Sequence, residues 1–167
     1  GNGGKKKKGG SGVGRRERAP PEPCRRVLEA IKAHRTKTRT GSSLQTAAPF
    51  LKAVDVTHYP DYPNVIKRPM DLSRVEKKLK SERYGSLEDF KADIMLMFQN
   101  ALDYNTGREG QEVRILTESL RAHFLAVYDR EVAAHEERQA AKAAKKKKKG
   151  AAPKTGGAAD ASPPPPP

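Results

Sequence analysis

The side chains best equipped for chemistry are few and scattered in this 167-residue chain. Four histidines, His34, His58, His123 and His135, could bind a metal or move a proton. None stands at a metal-ligand spacing, and none has a Ser or Cys partner nearby. One cysteine, Cys24, excludes an internal disulfide framework and a cysteine-rich zinc site. Tyr59, Tyr62 and the acidic residues form no evident acid–base pair, and no Gly-rich stretch follows a strand to make a phosphate cradle. We therefore expect no catalysis, no metal and no cofactor. What the chain holds in quantity is charge, 34 Lys plus Arg against 20 Asp plus Glu, a formal net of +14. A balance of that size suits a polyanionic neighbour, nucleic acid before membrane.

The charge is unevenly placed. Residues 1–23 hold seven basic and two acidic side chains, and residues 134–167 hold eight and three, a net of +5 for each. Residues 24–133 hold nineteen and fifteen, a net of +4. The first segment is Gly-rich with a Lys5–Lys8 run, and the last passes from Ala and Lys into Pro163–Pro167. Neither has enough apolar surface to offset the entropy of ordering, which predicts disordered basic tails, the second beginning as a helical extension. Apolar residues make up 35% and mean hydropathy is -0.85, values that such tails would lower from a more ordinary core. No apolar run approaches the roughly 20 residues of a membrane span. The start on Gly1 rather than Met leads us to expect a processed or excised piece. The basic run near it has no apolar stretch behind it and does not read as a secretory signal. A soluble intracellular protein is the expectation.

The middle segment must supply any site, and it reads as four helices. The first, after Pro23, carries Val27, Leu28 and Ile31. The second follows Pro69 with Leu72, Val75 and Leu79, and Asp71 in its opening turn. In the third, Ser86 is a natural N-cap before the stripe Leu87, Phe90, Ile94, Met97, Phe98, Ala101 and Leu102. The fourth opens near Glu112 and aligns Val113, Leu116, Leu120, Phe124, Val127 and Tyr128. No stretch alternates for long, so strands are not expected. Such helices bury their stripes together, and an antiparallel four-helix bundle over residues 24–133 is the predicted all-α fold. The roughly thirty residues from Thr38 to Pro69 far exceed a usual helix connection of ~2–8 residues. They are rich in apolar clusters and prolines, which predicts an ordered loop packed on one end of the bundle.

Four groups of residues carry a resemblance: Ala-Pro-Phe at 48–50, Tyr-Pro-Asp-Tyr at 59–62, Val-Ile-Lys-Arg-Pro-Met-Asp-Leu at 65–72, and Phe-Gln-Asn-Ala-Leu-Asp-Tyr-Asn at 98–105. In order and spacing they resemble a bromodomain over roughly Cys24 to Val132. The resemblance implies a left-handed bundle whose long first loop and third interhelical loop form a pocket for acetylated lysine. It implies that Asn105 donates its side-chain amide to the acetyl carbonyl and that Tyr62 reaches the same oxygen through water. Pro49 and Phe50 match the end of the apolar shelf, Val54 the pocket wall, Tyr104 the tyrosine before the binding Asn, and Val113 the gatekeeper. Asp71 fits the acid of the Pro-Met-Asp signature. The family's shelf usually begins with Trp, whereas this chain has no Trp and places Ala48 there. Loss of an indole removes ~150–250 Å² of contact from one wall, which predicts a wider, weaker pocket.

Other roles for the same residues stay open on the sequence. Asn105, following a helical stripe, also reads as a C-cap. Phe50 and Val54 fit core as well as pocket, Val113 fits the core by periodicity, and Tyr62 fits a half-buried loop. The resemblance implies a nuclear protein binding acetylated histone tails within a chromatin-associated complex, at roughly micromolar or weaker affinity. The Lys/Arg tails add non-specific DNA contact, with affinity falling as salt rises. The rival reading is a basic architectural nucleic-acid-binding protein whose bundle is a protein-interaction scaffold.

Overall fold

The structure, a computed structural model, describes residues 21–37 and 40–150. Of the tails expected over residues 1–23 and 134–167, residues 1–20 and 151–167 lie outside the described residues, and Pro21–Pro23, expected in the first tail, is helical instead. The chain divides into two compact units, one ending at Val132 and one beginning at Ala133.

Helix α1 spans Pro21–Ala33 and buries Cys24, Val27, Leu28 and Ile31, an i, i+3, i+4, i+7 stripe. It opens at Pro21 rather than after Pro23, because prolines in a first turn lack only N–H groups that a helix start leaves unpaired. Beyond it, the expectation of no strands is corrected. β1 (Arg35–Lys37) and β2 (Ser43–Gln45) pair antiparallel, with Thr36 opposite Leu44. Three residues per strand are too few for alternation to register in sequence. Long-range bonds hold the ribbon instead: Arg35 Nε donates to Ser43 Oγ (2.8 Å), and Gln45 Nε2 donates to the α1 carbonyl of Lys32 (2.8 Å). Gly41 turns with φ of +84°, a conformation that a Cβ would strain.

A 3₁₀ turn at Ala48–Phe50 and a short helix, α2 (Tyr62–Val65), order the long connection. Asp71 then caps α3 (Leu72–Lys80), its Oδ1 accepting from the Arg74 N–H at 3.0 Å and the Ser73 hydroxyl at 2.5 Å. Ser86 caps α4 (Leu87–Tyr104) by accepting from the Asp89 N–H at 3.1 Å. Helix α5 spans Gln111–Gly150. Up to Val132 its buried face is Thr117, Leu120, Phe124, Val127 and Tyr128.

One core cluster joins these stripes. Helix α1 packs on α3, α3 on α4, and α2 on α4. The Phe98 ring meets Phe50 edge-on at 5.9 Å and Phe124 at 5.9 Å, so one side chain of α4 touches both the long connection and α5. Each such buried side chain contributes about 1.5–3 kcal/mol. The second unit contains the helical residues from Ala133, where Gln139 and His135 lie 3.3 Å apart and the side chains from Glu136 to Lys148 are exposed.

Two buried polar residues direct this packing. Asn100 of α4 donates to the Arg68 carbonyl (2.8 Å) and ties the connection to the bundle. Asp93 of α4 accepts from the Tyr84 hydroxyl (2.9 Å) and pairs with Lys78 of α3. Burial, and secondarily the Asp93 carboxylate, push the Tyr84 hydroxyl well above its ordinary range. Asp93→Ala removes both bonds and leaves a buried hydroxyl unpaired. It should destabilise the fold by about 2–4 kcal/mol in urea unfolding, and Tyr84→Phe by less. Equal effects would place the weight of the cluster elsewhere.

Candidate binding site

A cavity of about 280 Å³ opens where the long connection meets the α4–α5 turn. Each strand of chain around it is positioned for a local reason. Pro49 lies in the 3₁₀ turn and directs Phe50 inward, where its ring is buried against Phe98. Val54 follows outside regular structure, half-buried. Tyr62 opens α2, and Tyr104 and Asn105 close α4. Val113 stands in the first turn of α5, half-buried. All seven residues expected from the sequence line this one cavity.

Asn105 shows how local structure and site coincide. It is the C-cap of α4, with φ −90° and ψ 57°, and its N–H bonds the Ala101 carbonyl at 3.1 Å. Its Nδ2 donates to the same oxygen at 2.7 Å. That bond fixes which end of the carboxamide carries nitrogen. A carboxamide nitrogen has two hydrogens, so one donor and the Oδ1 acceptor are left for the cavity it lines. Asn105 thus both caps α4 and lines the cavity.

The tyrosines form a connected group. The Tyr104 ring meets Tyr62 at 4.9 Å and Tyr59 at 6.2 Å, both edge-to-face, the arrangement favoured by the aromatic quadrupole. The Tyr104 hydroxyl donates to Asp61 at 2.8 Å. That bond holds the proton on the oxygen, and the Tyr104 hydroxyl is pushed up to about 12. Burial likewise raises the Tyr62 hydroxyl, with Arg74 opposing, so it remains a neutral donor at physiological pH.

The carboxylates at the cavity are already matched. Asp71 is buried but accepts from Arg74 Nη1 (2.8 Å), the Arg74 N–H and Ser73. Asp55 at the mouth pairs with His58 (2.7 Å), which with the Thr57 N–H holds its carboxyl below the usual carboxylate range. Lys52 is exposed at the mouth. Among the described residues no cluster of three or more His, Cys, Asp or Glu is placed to hold a metal, and no helix is long and apolar enough to cross a membrane.

The sequence reading missed several lining residues. Met97 and Ala101 sit on the α4 stripe and were read as core, yet both also face the cavity. Met70, Tyr59, Lys52 and Asp55 line it too, the first two lying inside motifs that carry the resemblance. Ala48 is exposed and does not line the cavity.

The Bromodomain family matches residues 24–116. The SWR1 complex bromodomain subunit bdf1 of Schizosaccharomyces pombe is 49% identical over 61 residues, 35% of this chain and 11% of that protein. Transcription factor GTE1 of Arabidopsis thaliana is 41% identical over 80 residues, 47% of this chain and 20% of that protein. The matched segments thus span a fifth or less of these relatives' length. The bromodomain of human BAZ1A superposes with a TM-score of 0.58, covering 67% of this chain and 94% of that one, at 24% identity, a likeness of fold.

The Asp61–Tyr104 bond has a defined pH signature. A raised pKa means the neutral hydroxyl is favoured, so what the bond adds to stability is present below pH 10 and lost as pH rises through about 12. In ultraviolet difference titration, with Tyr104→Phe used to assign the signal, Asp61→Asn should bring the Tyr104 transition down towards 10. A transition that stays near 12 would remove Asp61 as the cause.

Proposed function

The chain belongs to the bromodomain family, and from that premise we propose that it binds acetylated lysine on histone tails in the nucleus, as a module of chromatin or transcription regulation. The observation that carries this reading is that Asn105 and Tyr62 line one largely apolar cavity. Acetyl-lysine is a neutral secondary amide on an apolar stem. Its carbonyl needs donors, which a carboxamide and a hydroxyl acting through water supply without adding charge. Its methyl and methylenes need an apolar sleeve, which Phe50, Val54, Met97 and Val113 provide. The carboxylates nearby already have partners, so an unmodified lysine would leave an ammonium uncompensated, at a cost of roughly several kcal/mol. Acetylation then switches binding on by removing a desolvation penalty. The cavity volume suits one side chain rather than a larger ligand. The function assigned is recognition, not catalysis. Relatives named as a chromatin-complex subunit and as a transcription factor support the nuclear setting.

A second reading rests on a separate observation, the exposed lysines Lys142 and Lys145–Lys148 in the helical part of the second unit. Together with the Lys/Arg-rich first segment they provide sequence-independent phosphate contacts, weakened by salt. The two activities are compatible and separable. Asn105→Ala should weaken binding of an acetyl-lysine peptide by roughly tenfold or more while leaving DNA binding unchanged. Deleting residues 1–20 and 139–167 should do the reverse. Selective thermal stabilisation by acetylated over unacetylated peptide is the accompanying signature. Unchanged acetyl-peptide affinity in Asn105→Ala would refute the pocket assignment and leave the architectural reading.

A further inference from the structure

The α4–α5 turn is built against Asn105. A Cβ at Gly110 would meet the Asn105 Cβ at 2.6 Å, its Cα at 2.8 Å and its carbonyl carbon at 2.9 Å. All three distances are below contact, and two of the atoms are backbone and cannot swing aside. Residue 110 is therefore restricted to glycine by space. Arg114, one turn further on, donates from a single terminal nitrogen to two carbonyls, Asn105 O at 2.5 Å and Gly107 O at 2.7 Å. The turn closes on itself as well: the Arg114 N–H bonds Gly110 O at 3.0 Å, and the Gly110 N–H bonds Gly107 O at 3.2 Å. The guanidinium also lies at the C-terminal end of α4, where unpaired carbonyls concentrate negative potential and a cation is favoured.

Neither Gly110 nor Arg114 lines the cavity. What they hold is the peptide segment from which the Asn105 carboxamide projects: glycine allows close backing, and the guanidinium grips the carbonyl. A donor delivered to a ligand carbonyl is sensitive to that placement, because hydrogen bonds keep to donor–acceptor distances up to about 3.2 Å and weaken steeply at angles below about 120°. We infer that Gly110 and Arg114 are positioning residues for ligand binding, acting through the backbone of Asn105. This rests on the reading of Asn105 as the acetyl-amide donor, and the experiment separates the two.

The full chain is titrated with a peptide carrying one Nε-acetyl-lysine, and affinity is taken per active molecule. Arg114→Ala should weaken binding roughly three- to tenfold. It should also displace or broaden the side-chain amide resonance of Asn105. Arg114→Lys, whose amine falls about one bond short but still reaches towards one carbonyl, should recover part of both. Gly110→Ala should weaken binding at least as much as Arg114→Ala. A role confined to stability would lower the melting temperature and leave affinity and resonance unchanged well below it. That result in Arg114→Ala and Arg114→Lys overturns the inference whatever their melting temperatures. Asn105→Ala, run alongside, identifies the level of failure. If it loses binding while the Arg114 variants do not, the positioning role is wrong and the reader function stands. If it binds like the parent chain, both fall.

Discussion

The bond from the Asn105 carboxamide to the Ala101 carbonyl is the constraint around which the site is arranged. A helix end leaves carbonyls without partners, and α4 meets this need with the residue that lines the cavity. The bond that finishes the helix also orients the carboxamide, so its remaining donor is set before any ligand arrives. Preorganisation of this kind spares the ordering cost that otherwise weakens small interfaces. It also makes the geometry only as firm as the end of α4, which explains the bracing of the turn behind it by Gly110 and Arg114.

The opposite wall faces a different problem. The connection between α1 and α3 contains little regular structure, yet it must bury Phe50, Tyr62 and Ile66. Apolar burial alone would tolerate several arrangements of such a chain. Directional bonds choose among them: Asn100 to the Arg68 carbonyl, Tyr104 to Asp61, and Asp71 to the first turn of α3. Two of these three come from α4. That helix therefore supplies the core stripe, the tether for the loop and the carboxamide, and a disturbance of its last two turns reaches all three.

Charge is handled differently in the two units. In the bundle, the acidic groups at the cavity are consumed by near neighbours, Asp71 by Arg74 and Asp55 by His58, which leaves a slot suited to a neutral ligand. In the second unit, lysines stand exposed in a run, suited to a screened, long-range attraction. On the proposed reading, recognition by the slot rests on desolvation and changes little with salt, whereas phosphate contact rests on counterion release and changes steeply.

The four main helices, the Ser86 cap and the core stripes were legible in the sequence, because a 3.6-residue period and a capping side chain are local signals, whereas Asp71, read as an acid within the opening turn, is the cap that precedes it. That Pro49, Phe50, Val54, Tyr62, Tyr104, Asn105 and Val113 come together was legible through the resemblance to a family, and all seven line one cavity. The β1–β2 ribbon was not, since pairs of three residues leave no period to detect. Met97 and Ala101 were read as core alone, because periodicity reports which face of a helix is apolar and not what lies against it. Gly110 and Arg114 carried no sequence signal at all. Their importance lies in one close approach and two hydrogen bonds to backbone, contacts that exist only once α4 and α5 have folded against each other and brought the turn back upon Asn105.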